Sequence, residues 1–110
     1  MIKNDYFYKL EMIILSILSQ DDYTCDQIQT IIQKHSHDMI HIKAGTVLTS
    51  LFYFEEANLI SQTRFAHTTY YHIENSGRVR LDTLKRNYHN IVHSIDDLLN
   101  YQKEGVDSYE

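Results

Sequence analysis

The sequence predicts a mainly α-helical fold of the α+β class, with three short helices, a two-stranded hairpin and a long final helix. Apolar residues recur at three- and four-residue spacing in four separate segments, as they do on one face of a helix. Between the third and fourth segments lie two runs rich in Ile, Thr, Tyr and Phe, which favour strands. The chain contains no Pro and only 3 Gly, a composition that favours helices over sharp loops.

Length and composition limit the classes of protein that fit. A chain of 110 residues with 43% hydrophobic content is the size of one globular domain with one core. The single Cys25 cannot form an internal disulfide, so we expect a reducing, cytoplasmic setting. The longest apolar run, residues 12–18, is far shorter than the ~18 residues of a membrane span, so we expect no membrane association.

The first three helices are expected within residues 6–58. Apolar spacing predicts the first helix over residues 6–19. Thr24 and Gln27 form a capping-box pattern, which predicts that the second helix starts there and runs over residues 25–35. The third helix carries a buried stripe of Val47, Leu51 and Phe54 and ends near residue 58.

The hairpin and the last helix follow. Residues 59–65 and 69–74 are predicted strands, separated by residues 66–68. After the "NSG" sequence, the apolar positions of the long helix step by 3, 4, 3, 4 and 3, which makes a heptad seam. A seam of this kind is either a dimer interface or a helix face packed on its own core. Residues 104–110 are acidic and aperiodic and are expected to form a flexible tail.

Three motifs match one protein family in order and spacing. They are "LEMIILSILSQDDYTCDQI" at residues 10–28, "GTVLTSLFYFEEANLI" at residues 45–60 and "YYHIENSGR" at residues 70–78. With these motifs the chain resembles the PadR family of bacterial transcriptional regulators, over roughly residues 10–101. The resemblance implies a winged helix-turn-helix with a two-stranded wing and a long C-terminal dimerisation helix.

The resemblance also implies a division of the chain and a function. Residues 1–75 would form the winged helix-turn-helix DNA-binding domain, residues 76–103 the dimerisation helix and residues 104–110 the flexible tail. The expected function is a transcriptional regulator, a repressor that binds palindromic operator DNA as a homodimer. Where the family usually has Tyr-Pro on the third helix, this chain has Leu48 and Thr49.

The residues expected to contact DNA are those that the third helix turns away from its core, together with nearby cations. They are Lys34, Lys43, Thr46, Thr49, Ser50, Tyr53, Arg64 and His67. The formal net charge of −5 argues against strong non-specific affinity, because phosphate neutralisation by Lys and Arg supplies most of that affinity. The residues expected at the dimer interface are Leu10, Leu81, Leu84, Tyr88, Ile91, Ile95 and Leu98.

Two other functions stay open at this point. The same fold could have lost DNA binding and serve as a protein-interaction module that docks a partner through Phe52 and Tyr53. It could also sense a small aromatic effector at the dimer interface, lined by tyrosines at positions 6, 8, 88 and 101. Neither a catalytic motif nor a metal site is expected, since "HNIVH" lacks the Glu of the zinc-protease motif, and no cofactor is implied.

Overall fold

The computed structural model describes the backbone of residues 2–103 and the side chains of residues 9–103. The elements follow in the order α1 (Ile2–Leu18), α2 (Cys25–His35), α3 (Ala44–Glu56), β1 (Ile60–Phe65), β2 (Thr68–Ile73) and α4 (Asn75–Leu99). The predicted fold class is confirmed, because three helices, an antiparallel hairpin and a long last helix form a winged helix. The predicted tail, residues 104–110, lies outside the described residues.

Helix α1 lies at the centre of the core. It contacts α2, α3, β2 and α4, and it buries Leu10, Ile14, Leu15 and Leu18. Leu15 is buried as well as its neighbour Ile14, because a helix covered on several sides buries more than one stripe. The other elements contribute to the same core Ile28, Ile32, Val47, Leu51, Phe54, Ile60, Tyr71, Ile73, Leu81 and Leu84.

Helix α2 has the bounds predicted for it because its first turn is capped locally. Thr24 Oγ1 accepts the backbone N–H of Gln27 at 3.1 Å, and Gln27 Oε1 accepts the backbone N–H of Thr24 at 2.9 Å. This reciprocal pair satisfies two N–H groups and is the predicted capping box. Further along the helix, Gln29 Nε2 donates to the Ile42 carbonyl at 2.9 Å and so holds the segment that leads into α3.

The hairpin turns within two residues rather than the predicted three. Phe65 pairs with Thr68, which leaves only Ala66 and His67 in the loop. Their φ angles of 51° and 65° are the left-handed values that a type I′ turn requires. The prediction assigned Thr68 to the loop because neither Ala nor His is a usual residue for such a turn.

Strand β2 is also tied to the connection between α1 and α2. The Tyr71 N–H donates to the Tyr23 carbonyl at 2.9 Å, and the Tyr23 N–H donates back to the Tyr71 carbonyl at 3.3 Å. Next to this bridge, His72 Nδ1 lies 2.8 Å from the Asp22 carboxylate. The side chains of β2 alternate between core and solvent, since Tyr71 and Ile73 are buried while His72 is exposed.

Helix α4 starts in close contact with the residue that precedes β1. Gly77 is buried, and a Cβ added to it would overlap the Leu59 carbonyl oxygen and lie 2.8 Å from Ile73 Cγ1. The same Leu59 carbonyl accepts the Glu74 N–H at 2.9 Å, which holds it in place. Only a glycine allows the first turn of α4 to pack this closely, so Gly77 sets the angle at which the helix leaves the wing.

An ion pair also joins α4 to α1. Arg80 Nε donates to Glu11 Oε2 at 2.9 Å, and Arg80 Nη2 donates to Glu11 Oε1 at 3.1 Å. Glu11 is buried, and the Arg80 side chain is 36% exposed. A bidentate pair of this geometry satisfies both carboxylate oxygens and fixes the relative position of the two helices.

Candidate nucleic-acid interface

Helix α3 presents one face to the core and the opposite face to solvent. Val47, Leu51 and Phe54 are buried, as predicted. At the end of the helix, Gln62 Nε2 on β1 donates to both carboxylate oxygens of Glu55, at 2.9 and 3.0 Å. The hydrogen bond from Gln29 holds the segment before the helix. Helix α3 is therefore fixed at both ends, to α2 and to the wing.

Three of the predicted α3 contact residues are exposed and one is not. Thr46, Thr49 and Tyr53 face solvent, whereas Ser50 is 4% exposed. The expectation that Ser50 faces outward is wrong, because position 50 is three residues from Val47 and four from Phe54 and so shares their buried side. We remove Ser50 from the candidate interface.

The outward face of α3 is mostly apolar. Leu48, Phe52 and Tyr53 are 52%, 56% and 55% exposed, and the rings of Phe52 and Tyr53 meet edge to face with centroids 5.7 Å apart. Leu48 was not among the predicted contact residues. The sequence had nevertheless singled out this position, because Leu48 stands where the PadR family usually has the Tyr of a Tyr-Pro pair. Gly45 adds no side chain to the first turn, and a Cβ there would have nothing within 4 Å.

The predicted cations and His67 are exposed and lie on separate elements. Lys43 is the N-cap residue of α3, its side chain makes no capping hydrogen bond, and Lys34 is in the last turn of α2. On the wing, Arg64 Nη1 donates to Thr69 Oγ1 at 3.0 Å, across the second residue pair from the turn, and His67 is in the turn itself. The candidate interface therefore has few positive charges, and they lie around α3 rather than on it.

The surroundings of Cys25, the first residue of α2, are not those of a reactive thiol. Cys25 Sγ lies 3.7 Å from the Ala44 carbonyl oxygen at the start of α3. Burial raises the pKa of the Cys25 thiol, and the neighbouring Asp26 carboxylate raises it further. The thiol is therefore protonated at neutral pH, which suits a packing role rather than a nucleophilic one.

The heptad seam of α4 divides into two parts. Leu81 and Leu84 are buried in the chain's own core, as is Leu10 on α1. The expectation that these three leucines form a dimer interface is wrong, since the single chain already covers them. Beyond Leu84 the seam leaves the core. The predicted interface residues that remain exposed are Tyr88, Ile91, Ile95 and Leu98.

A groove of ≈ 390 Å³ lies between α1 and α4, beside the exposed part of the seam. Its lining includes Met12, Tyr88 and Ile91. Of the tyrosines predicted to line an effector site, Tyr88 lines this groove, and the side chains of residues 6 and 8 lie outside the described residues.

The histidines do not form a metal site in the part of the chain that the structure describes. Within residues 9–103, no three His, Cys, Asp or Glu side chains lie close enough to hold a metal ion. His93 Nε2 lies 3.7 Å from the Asp97 carboxylate, one helical turn away, and both side chains are well exposed. None of the described helices is long and apolar enough to cross a membrane.

Comparison with known proteins supports the family resemblance. No protein-family model matches the sequence, and no curated protein matches it either. Among solved structures, a PadR-like transcriptional regulator from Bacillus cereus is 26% identical with a TM-score of 0.75, over 84% of this chain and 93% of that one. The chain is similar to this PadR-like regulator and has a winged-helix fold.

Two further solved structures support the winged-helix fold of this chain. A PadR family transcription regulator from Clostridium difficile is 24% identical with a TM-score of 0.70, over 83% of this chain and 98% of that one. A transcriptional regulator from Clostridium thermocellum is 21% identical with a TM-score of 0.77, over 80% of this chain and 87% of that one. Each alignment covers most of both chains.

Proposed function

We propose that this PadR-like protein is a transcriptional regulator, and specifically a repressor, that binds palindromic operator DNA as a homodimer. The observation that carries the proposal is the solvent-exposed face of α3, in a helix-turn-helix whose α2 and wing hold α3 at both ends. A helix presented in this way fits the major groove, with the preceding helix and the wing on the flanking backbone. The similar solved structures are transcriptional regulators, which favours this role over catalysis.

The DNA contacts proposed on each protomer are few. Lys43 at the start of α3, Lys34 at the end of α2, and Arg64 and His67 on the wing would contact phosphates. Thr46, Thr49 and Tyr53 would lie toward the bases. Because the molecule carries a formal net charge of −5, non-specific affinity is expected to be low and to fall steeply with salt. Two copies of each contact in a dimer would then supply specific binding.

Dimerisation is proposed through the distal part of α4. Tyr88, Ile91, Ile95 and Leu98 repeat at heptad spacing and are exposed on the single chain. A heptad row that no other part of the described chain covers is the surface that a second helix of the same kind packs against. A two-fold dimer formed here matches the symmetry of a palindromic site. In this proposal residues 1–75 bind DNA and residues 76–103 dimerise.

The test is a fluorescence-anisotropy titration with DNA from upstream of the protein's own gene, at low and at physiological salt, with scrambled DNA as the control. Lys43→Ala should weaken binding roughly tenfold or more and reduce the slope of log K against log salt by about 1 per lost phosphate contact. Lys103→Ala, an exposed lysine beyond α4, makes the same change in net charge and should have little effect. Equal retention of both DNAs, or of neither, would contradict the proposal.

One observation favours the protein-interaction alternative. The exposed Phe52 and Tyr53 rings and the exposed Leu48 form an apolar face that could dock a protein partner. The alternative requires that the purified dimer holds no operator-like DNA at any salt concentration. The anisotropy titration therefore distinguishes the two functions, since sequence-dependent binding rules out a loss of DNA binding.

Dimerisation is tested by analytical ultracentrifugation of single variants of α4. Ile91→Asp should shift the protein toward monomer, because it puts a charge in the middle of the proposed seam. Val79→Asp is the matched control, since Val79 is an exposed apolar residue of the same helix that precedes the seam. Dissociation by both variants, or by neither, would contradict an interface on this row.

A further inference from the structure

The outward face of α3 lacks the side chains that read guanine and adenine. Guanine is read in the major groove by Arg or Lys, and adenine by Asn or Gln, through paired hydrogen bonds. Helix α3 has the sequence AGTVLTSLFYFEE, which contains none of these four residue types. If α3 is the reading helix, it discriminates between bases by another chemistry.

The outward face of α3 instead has side chains that suit contact with methyl groups. Each residue turns an α-helix by about 100°, so Gly45, Thr49 and Phe52 lie near the middle of the solvent face, opposite Val47 and Phe54. Leu48 borders Phe52 on the same face, since the two are four residues apart. The bare first turn at Gly45 allows a close approach to the groove. The centre of the face therefore offers an aromatic ring, a leucine and a threonine methyl.

We propose that α3 recognises thymine through its 5-methyl group, with Thr49 and Phe52 as the specificity-determining residues and Leu48 beside them. The inference rests on the proposed function, because it requires that α3 enters the major groove. The thymine methyl projects into that groove, and Thr methyl and Phe are among the side chains that contact it there. Each half-site then contains thymines at fixed positions under α3.

This chemistry also suits an acidic protein. Contact between apolar groups is stabilised by removal of surface from water and needs no positive charge. Sequence discrimination can therefore persist at salt concentrations that screen the few phosphate contacts. The last turn of α3 carries two carboxylates and no cation. Glu56 is exposed and does not attract the DNA backbone, and the Glu55 carboxylate accepts hydrogen bonds from Gln62.

The test starts from the DNA site that the wild-type protein selects from a randomised duplex library at low salt. Each thymine of that site is then replaced by deoxyuridine, which removes only the methyl group. We expect about fourfold weaker binding for each contacted methyl lost, and about 15-fold when the equivalent thymines of both half-sites are replaced. Replacement of a contacted T·A pair by 5-methylcytosine·G should retain more affinity than replacement by C·G.

Variants of the protein locate the contact. Thr49→Ser removes only the methyl of that side chain and should reduce the penalty for deoxyuridine at one position. Thr49→Val keeps a methyl at the same place and should retain that penalty. Phe52→Ala should abolish the penalty at a neighbouring position, whereas Val79→Ala, an exposed apolar residue on α4, should leave every penalty unchanged.

The outcomes separate the two proposals. Site-selective binding with no deoxyuridine penalty above twofold at any position would overturn methyl recognition and leave the repressor proposal standing. A penalty that Phe52→Ala and Thr49→Ser do not alter would also overturn it, because the methyl contacts would then come from elsewhere. If no sequence is selected from the library, the proposed function fails, and methyl recognition fails with it.

Discussion

Replacement of Gly77 by alanine should destabilise the protein strongly, although alanine is the better helix former. The added Cβ would overlap the Leu59 carbonyl oxygen and lie 2.8 Å from Ile73 Cγ1. The carbonyl cannot move away freely, because it accepts the Glu74 N–H at 2.9 Å. Overpacking of this kind costs about 1–3 kcal/mol, and more where the backbone must shift. The higher helix propensity of alanine offsets ~1 kcal/mol of this cost, so we expect the free energy of unfolding to fall by about 3 kcal/mol.

The assay is urea or thermal unfolding at one fixed protein concentration, since the proposed dimerisation would make stability depend on concentration. For a domain of about 100 residues, a loss of about 3 kcal/mol lowers the Tm by more than ~10 °C. Gly45→Ala is the matched control: its Cβ meets nothing within 4 Å, so the variant should be slightly more stable than wild type. A Gly77→Ala variant as stable as Gly45→Ala would refute the packing argument.

Three further predictions concern other parts of the chain. His67→Gly should stabilise the hairpin by about 0.5–1 kcal/mol in urea unfolding, because glycine relieves the positive φ of 65° at some cost in unfolded-chain entropy. Glu11→Gln should lower the unfolding free energy by about 1–3 kcal/mol, because it breaks the bidentate ion pair between Glu11 and Arg80. The urea concentration at the unfolding midpoint should fall as the pH rises above about 9. Burial raises the pKa of Cys25 above 9.0 and that of Tyr71 above 10.0 in the folded protein, so the unfolded chain releases these protons at lower pH than the folded one. Tyr71→Phe should flatten that pH profile.

The features that the sequence alone could predict are those set by neighbouring residues. The bounds of α2 were predictable because Thr24 and Gln27 cap the helix within one turn. The alternation of β2 was predictable because buried and exposed positions follow a period of two. The heptad seam was visible as a pattern, but its division was not. Whether Leu84 packs inside the chain and Ile91 outside depends on where the core ends along α4.

Among the features that the sequence analysis did not predict, one depends on contact between distant residues and the others on local patterns that it misjudged. Glu11 and Arg80 are 69 positions apart, and nothing in either neighbourhood indicates that they pair. Ser50 was placed outward for its hydroxyl, whereas its helical position beside the buried stripe decides its burial. The turn was predicted over residues 66–68, one residue longer than the observed turn, because neither Ala66 nor His67 is a usual residue of a two-residue turn.

In the proposed complex, two copies of α3 read successive major grooves of one operator. Hydroxyl-radical footprinting of the wild-type protein on its selected DNA site tests this arrangement. We expect two protected segments related by two-fold symmetry and centred about 10 base pairs apart, with the protection lost in Ile91→Asp at equal protein concentration. A single protected segment that persists in Ile91→Asp, or no protection on any sequence, would contradict it.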